Sequence, residues 1–128
     1  MRPCPKCGVE FEQTSATNPY CEQCDRDYKR NYNFLRNYGI SFDEYVAWWN
    51  RIDGRCEACG EFRLLNPTKA TGKPDRSARL HVDHDHAVNE PHARGLLCKD
   101  CNVLAGWIEK DLGRVNQVTQ YLEQRSNL

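Results

Sequence analysis

Every cysteine in this chain belongs to a Cys-x-x-Cys pair: Cys4/Cys7, Cys21/Cys24, Cys56/Cys59 and Cys98/Cys101. That spacing lets two thiolates reach one ion, and two such knuckles complete the tetrahedron that zinc prefers. Four knuckles make two closed sites, so an acceptable fold must bring them together in twos. The chain needs such staples. Of its 128 residues only 39% are hydrophobic, and its mean hydropathy is −0.84, too little for a large core without metals or disulfides. A secreted disulfide framework also uses an even number of cysteines. Four uniformly spaced pairs suit metal knuckles better, and the opening MRPCPKCG carries no apolar run that reads as a signal peptide. The expected compartment is therefore reducing and intracellular. No apolar run is long enough for a membrane-spanning helix.

The knuckles divide the chain. Residues 1–24, with Cys4, Cys7, Cys21 and Cys24 around a loop of turn formers, read as an N-terminal zinc ribbon with a supporting or DNA-contact role. Residues 25–54 read as a helical connector. Tyr28, Tyr32 and Leu35 recur at helical spacing from Asp25 onward, and Gly39 is placed to end that helix. Ser41-Phe-Asp-Glu44 is a capping box that opens a second helix, with Ile40 placed to staple against Tyr45. Phe42, Tyr45, Val46, Trp49 and Ile52 line one face of that helix, a stripe expected to be core, and Asp53-Gly54 ends it.

From residue 55 the pattern changes again. After the Cys56/Cys59 knuckle an irregular, cation-rich loop carries Arg63, Lys69, Lys73, Arg76 and Arg79 against Glu61 and Asp75. The whole chain balances 18 Lys and Arg with 18 Asp and Glu, so only local charge points toward phosphate. Leu80 to Asp83 and Arg94 to Leu97 read as two short strands joined through Asn89-Glu90-Pro91, with a helix beginning near Asp100. This is a ββα unit that zinc on Cys56, Cys59, Cys98 and Cys101 would clamp. A last amphipathic helix carries Val115, Val118, Tyr121 and Leu122, apolar positions for burial on this unit or on a partner chain.

Arg79–Gly106, RLHVDHDHAVNEPHARGLLCKDCNVLAG, concentrates the chemistry and contains all four histidines. Carboxylates and imidazoles crowd together at His81, Asp83, His84, Asp85 and His86, an arrangement that suits a cation or phosphate among them. In an ideal strand Asp83 and His84 point to opposite faces, so they serve one site only if the strand ends or bends at about Asp83. The chemistry expected is metal-assisted phosphodiester hydrolysis. Asp83 and Asn102 would hold one hard cation, Mg²⁺ or Mn²⁺, on oxygen donors. His84 would act as general base, His86 would position or neutralise phosphate, and Arg94 and the basic loop would follow the backbone. Asp85 reads as a residue orienting a histidine. His81 and His92 read as exposed or packed polar residues without a direct role.

The ordered set Cys-x-x-Cys, His81-Val-Asp-His-Asp-His86 and Arg94-Gly-Leu-Leu-Cys-x-x-Cys-Asn102, ending in Gly106, closely resembles the phage recombination endonuclease VII family of the His-Me finger (HNH) nucleases. The resemblance runs from roughly Tyr38 to Leu122 and implies a small, zinc-stapled α+β fold. Its ββα-metal nuclease core, within residues 55–128, is accompanied by the N-terminal ribbon and flanking helices. It further implies Asp83 and Asn102 as ligands of the catalytic metal, His84 as base and His86 as a further active-site residue. The partner implied is DNA, branched or nicked forms included, in the cytoplasm of a bacterial or phage-infected cell. The founding member has an active-site glutamate where this chain has Ala105, and Glu109 is the nearest acidic residue on the same helical face. The short C-terminal region leaves monomer and homodimer both open. A noncatalytic tandem zinc-ribbon DNA-binding or adaptor protein would explain the cysteines and the basic loop, but not Asp83, His84, His86 and Asn102 beside them. A zinc hydrolase would want a His-x-x-x-His helix, which the chain lacks.

Overall fold

Cys21 and Cys98 both have extended backbone and each starts a helix, and the architecture follows from those two junctions. A computed structural model describes residues 1–85 and 92–126. In chain order its elements are β1 (Arg2–Pro3), β2 (Glu10–Phe11), α1 (Glu22–Tyr38), α2 (Phe42–Arg51), a single 3₁₀ turn (Arg76–Ala78), β3 (His81–His84), β4 (Ala93–Leu97), α3 (Lys99–Lys110) and α4 (Leu112–Arg125). The strands form two small sheets, β1 with β2 and β3 with β4. The fold is thus the small α+β class expected. His86 and the expected turn at Asn89-Glu90-Pro91 lie outside the described residues. Two compact units are formed, Met1–Trp48 with His84–Ala93, and Trp49–Asp83 with Arg94–Leu128.

In the first unit β1 pairs antiparallel with β2, Arg2 opposite Phe11 and Pro3 opposite Glu10. The connection is the Cys4 knuckle, where Cys4 N donates to Val9 O at 2.8 Å and Gly8, at φ 79°, donates to Cys4 O at 2.8 Å. Phe11 packs against buried Cys4, Cys21 and Cys24. Helix α1 begins three residues before the expected Asp25, because Cys21 is its N-cap and its sulfur accepts from Cys24 N. It ends as expected at Gly39, which is left-handed and donates to Leu35 O.

The buried side of α1 differs from what its Tyr28, Tyr32 and Leu35 repeat suggests. Those three side chains are exposed, and the helix buries Phe34. The reason is the partner: Phe34 meets the rings of Phe42 at 5.1 Å and Tyr45 at 5.3 Å, with Tyr38 at 5.2 Å. Such an aromatic cluster removes more area from water than the outer tyrosine pair would. The capping box of α2 is formed as expected: Glu44 N donates to Ser41 Oγ at 3.1 Å, and Ser41 N donates to Glu44 Oε1 at 3.2 Å. Asn31 adds a bond across from α1, its Oδ1 accepting from Asp43 N at 2.9 Å. Another free N–H of the α2 terminus is thereby satisfied.

In the second unit the end of α2 turns back on itself. Trp49 donates its indole N–H to Arg63 O at 3.0 Å and packs edge-on against Phe62. Gly54 sits beneath the two rings at φ 68°, donating to Trp49 O and accepting from Arg63 N. The Cys56 knuckle follows, closed by Cys56 N to Glu61 O and Gly60 N to Cys56 O. It is tied to β4 through Glu57, whose N–H donates to Leu96 O at 3.0 Å while its Oε2 accepts from Leu96 N at 2.7 Å. Leu80 and Leu96 are completely buried, with Val82 and Leu97 nearly so. Each such side chain contributes about 1.5–3 kcal/mol of burial. The loop expected to be irregular has order of its own. Thr68 bridges to Pro74, Lys69 N donates to Lys73 O at 2.8 Å, and left-handed Gly72 makes the turn.

A Cβ at Gly54 would lie 2.6 Å from Trp49 Cζ2 and 2.7 Å from Phe62 Cε2, in a left-handed conformation that a side chain also disfavours. Gly54→Ala is expected to destabilise the protein by roughly 2–4 kcal/mol in chemical denaturation.

Candidate functional site

The four sulfurs of Cys4, Cys7, Cys21 and Cys24, and those of Cys56, Cys59, Cys98 and Cys101, each lie within 4.8 Å of one another. Cys7 and Cys21 sulfurs are 3.7 Å apart, and those of Cys59 and Cys98 3.8 Å. Such separations far exceed a disulfide bond of about 2.05 Å. They match the edge of a tetrahedron with metal–sulfur bonds of about 2.3 Å. Both groups are therefore compatible with structural zinc.

The two groups are built alike. Each takes one knuckle from a turn closed by a left-handed glycine, Gly8 or Gly60. The other knuckle is the first turn of a helix, Cys21 and Cys98 at the N-caps of α1 and α3 with nearly the same backbone angles. Cys24 and Cys101 follow three residues on, where a helical turn brings both sulfurs to one side. Exposed N–H groups and the positive end of the helix dipole favour thiolate there.

Without an ion, Cys4 and Cys56 ionise more readily than Cys24 and Cys101. The Cys4 thiol is lowered to about 6, chiefly by the backbone N–H of Cys21, while the Cys21 thiol pushes Cys24 up to about 12. Burial works against ionising Cys56, but backbone N–H groups of Cys59, Cys98 and Ala58 outweigh it and bring that thiol to about 6. The Cys98 thiol pushes Cys101 up to about 12. Four crowded thiolates repel unless a dication sits among them, and the donor set fits zinc.

The oxygen-donor residues lie close to the second group in sequence. Asp83 occupies β3 and Asn102 the first turn of α3, where its N–H donates to Cys98 O at 2.9 Å. The sides of α3 are unequal, with Cys101, Asn102 and Ala105 half-buried and the remaining positions exposed. Asp83 is 14% exposed and already holds a cation: Arg94 of β4 donates from Nε to Oδ2 at 2.7 Å and from Nη2 to Oδ1 at 3.3 Å. The same Nη2 is bonded to Glu109 of α3. These partners, Asp83 first, raise the pKa of the guanidinium. A nearly buried carboxylate that engages a full positive charge is an oxygen donor of the hard type, and its place in the structure is beside a cation.

Strand β3 continues through His84, and Asp85 N still donates to His92 O at 2.9 Å, so the strand end expected at about Asp83, which would let Asp83 and His84 serve one site, falls one residue later. His84 is half-buried with its Nδ1 enclosed. His81 Nε2 lies 3.3 Å from Ser77 O, and His92 is exposed. Arg94, expected to follow the DNA backbone, is instead engaged with two carboxylates. Glu57 escaped the sequence reading altogether, since a glutamate inside a knuckle carries no signal of the strand it will reach. Of the loop cations, Arg63 is paired with Glu61 at 2.8 Å.

The model of the family described as recombination endonuclease VII matches residues 30–124. That span includes the whole second cysteine group, Asp83, His84 and Asn102. The chain belongs to the recombination endonuclease VII family. Membership puts it among nucleases, with DNA as the substrate implied. Phage proteins are among those similar to it. The Gene 59 protein of Mycobacterium phage D29 is 29% identical over 135 aligned residues, covering 96% of this chain and 74% of that protein. The Gene 59 protein of Mycobacterium phage L5 is 36% identical over 89 residues, covering 69% of this chain and 46% of that protein. The first cysteine pair, Cys4/Cys7, and the second, Cys21/Cys24, precede the family match. No helix among the described residues is long and apolar enough to cross a membrane.

Elemental analysis of purified protein should find two zinc ions per chain, one for each cysteine group. Cys98→Ser should reduce the content to one and abolish cooperative thermal melting of the unit holding β4 and α3, because metal binding and folding are one event at such sites.

Proposed function

We propose that this protein is a divalent-metal-dependent DNA endonuclease of the HNH type, with its chemistry in residues 55–128. The observation that carries the reading is Asp83: a nearly buried carboxylate in cationic contact on β3, inside the family match and next in sequence to His84. Asp83 and Asn102 would hold Mg²⁺ or Mn²⁺. When bound, such an ion supplies electrostatic stabilisation of the phosphate and the departing 3′ oxygen.

The remaining work falls to the chain. His84 takes a proton from the attacking water; an imidazole titrates near neutrality and is suited to that exchange. His86 positions or neutralises the phosphate, and Asp85 helps to orient a histidine. Lys69 and Lys73, exposed at the ends of the Gly72 turn, give the DNA backbone a salt-sensitive contact. Residues 1–24 form a zinc ribbon that adds DNA contacts, and 25–54 connect it to the nuclease domain. The zinc sites hold this frame and take no part in the chemistry. The two similar phage proteins support action in the cytoplasm of a phage-infected bacterial cell.

A cleavage assay comparing a four-way junction, a nicked duplex and plain duplex, with and without Mg²⁺, tests the reading. Metal-dependent cutting of at least one substrate is expected. Zinc-loaded protein that binds these DNAs and leaves all of them intact is instead a noncatalytic zinc-ribbon adaptor. His84→Ala should lower the cleavage rate by about 10²–10⁴-fold, the usual contribution of a general base, while DNA binding persists in a mobility-shift assay. Undiminished cutting by that variant removes His84 as the base.

A further inference from the structure

Asp83, Arg94 and Glu109 lie in the same compact unit and form one ionic group built from β3, β4 and α3. Both oxygens of Asp83 are occupied by the guanidinium, at 2.7 and 3.3 Å. A divalent ion needs those same oxygens, and a guanidinium left in place would repel it. The carboxylate suited to metal binding is therefore held by a competing cation. Glu109 offers that cation somewhere else to stay. It stands seven residues beyond Asn102 on α3, is 41% exposed, and bonds the same Nη2 that reaches Asp83. Ala105, between them on that side of the helix, has no charge to offer.

We propose that Arg94 is a displaceable counter-ion: it holds Asp83 in the metal-free protein and, when a divalent metal binds, gives up Asp83 while remaining anchored to Glu109. The proposal rests on Asp83 being a metal ligand. It makes Glu109 the anchor of Arg94, and not a replacement ligand for the glutamate that Ala105 lacks. Before metal arrives, Arg94 neutralises a half-enclosed carboxylate and fixes its rotamer with two charge-assisted hydrogen bonds. It is a positioning residue whose removal has an unusual signature. An arginine that only supported the fold would weaken metal binding when lost, whereas a competing cation strengthens it.

The test is a Mn²⁺ titration of the zinc-loaded full chain without DNA, with free Mn²⁺ followed by electron paramagnetic resonance and with zinc content and melting recorded for each variant. Arg94→Ala should bind Mn²⁺ roughly five- to tenfold more tightly, the scale of a partly exposed ion pair with charge-assisted bonds. Arg94→Gln, which keeps hydrogen-bonding capacity without charge, should shift the same way and serves if the alanine variant melts early. Glu109→Gln should weaken Mn²⁺ binding when Arg94 is present and change nothing in the Arg94→Ala background. Unchanged or weaker binding in both Arg94 variants overturns the proposal, as does equal weakening by Glu109→Gln in both backgrounds. Asp83→Asn separates the two levels. If it binds Mn²⁺ as well as the parent, the ligand assignment itself is wrong. If it loses binding while the Arg94 variants gain none, only the counter-ion role falls.

Discussion

The rest of this structure depends on a helix terminus serving as half of a metal site. A Cys-x-x-Cys pair at the N-cap and third helical positions presents two sulfurs on one side of the first turn, surrounded by N–H groups with no intrahelical acceptor. The chain uses this device twice, at Cys21/Cys24 and at Cys98/Cys101. An ion on those sulfurs fixes where the helix begins and how its first turn is rotated. For α3 this also fixes Asn102, whose N–H closes the first helical bond onto the carbonyl of Cys98. A site that is structural in composition thus sets the position of a residue suited to chemistry. Few apolar side chains are needed to hold an element attached in this way, which agrees with the small buried set of the second unit.

Much of the fold was legible because local rules and metal spacing agreed. The capping box at Ser41 and Glu44, the stop at Gly39, the four helices, the second pair of strands and the pairing of knuckles into two groups all follow from interactions spanning a few residues or from the demands of one ion. The misreadings occurred where the deciding partner is distant. Helical spacing found α1 but favoured the Tyr28, Tyr32 and Leu35 face, because periodicity does not reveal which aromatic residues another helix will offer. Phe34 wins through Phe42 and Tyr45. In the loop between the knuckle and β3, the Lys69–Lys73 turn is made by backbone bonds that leave no apolar period to read.

The oxygen-donor region divides in the same way. Asp83, His84 and Asn102 stand out by residue type beside a knuckle, and the family match covers all three. The partner of Asp83 was not legible. Arg94 is separated from it by 11 positions and from Glu109 by 15, and a basic residue before a knuckle reads equally well as a phosphate contact. Only the pairing of β3 with β4 shows that its charge is already engaged.

Glu57 gives the second knuckle a role beyond coordination. Its main-chain N–H and side-chain carboxylate together occupy the C=O and N–H of Leu96, much as a neighbouring strand would. Gly95 leaves room for this, since a Cβ there would lie 2.9 Å from the Glu57 carboxylate. A two-stranded sheet otherwise presents an open edge to any passing chain. An ion on the second cysteine group would hold the knuckle that carries Glu57, and with it the cover over the strand at Leu96 and Leu97. Metal at that group would thereby also guard against self-association.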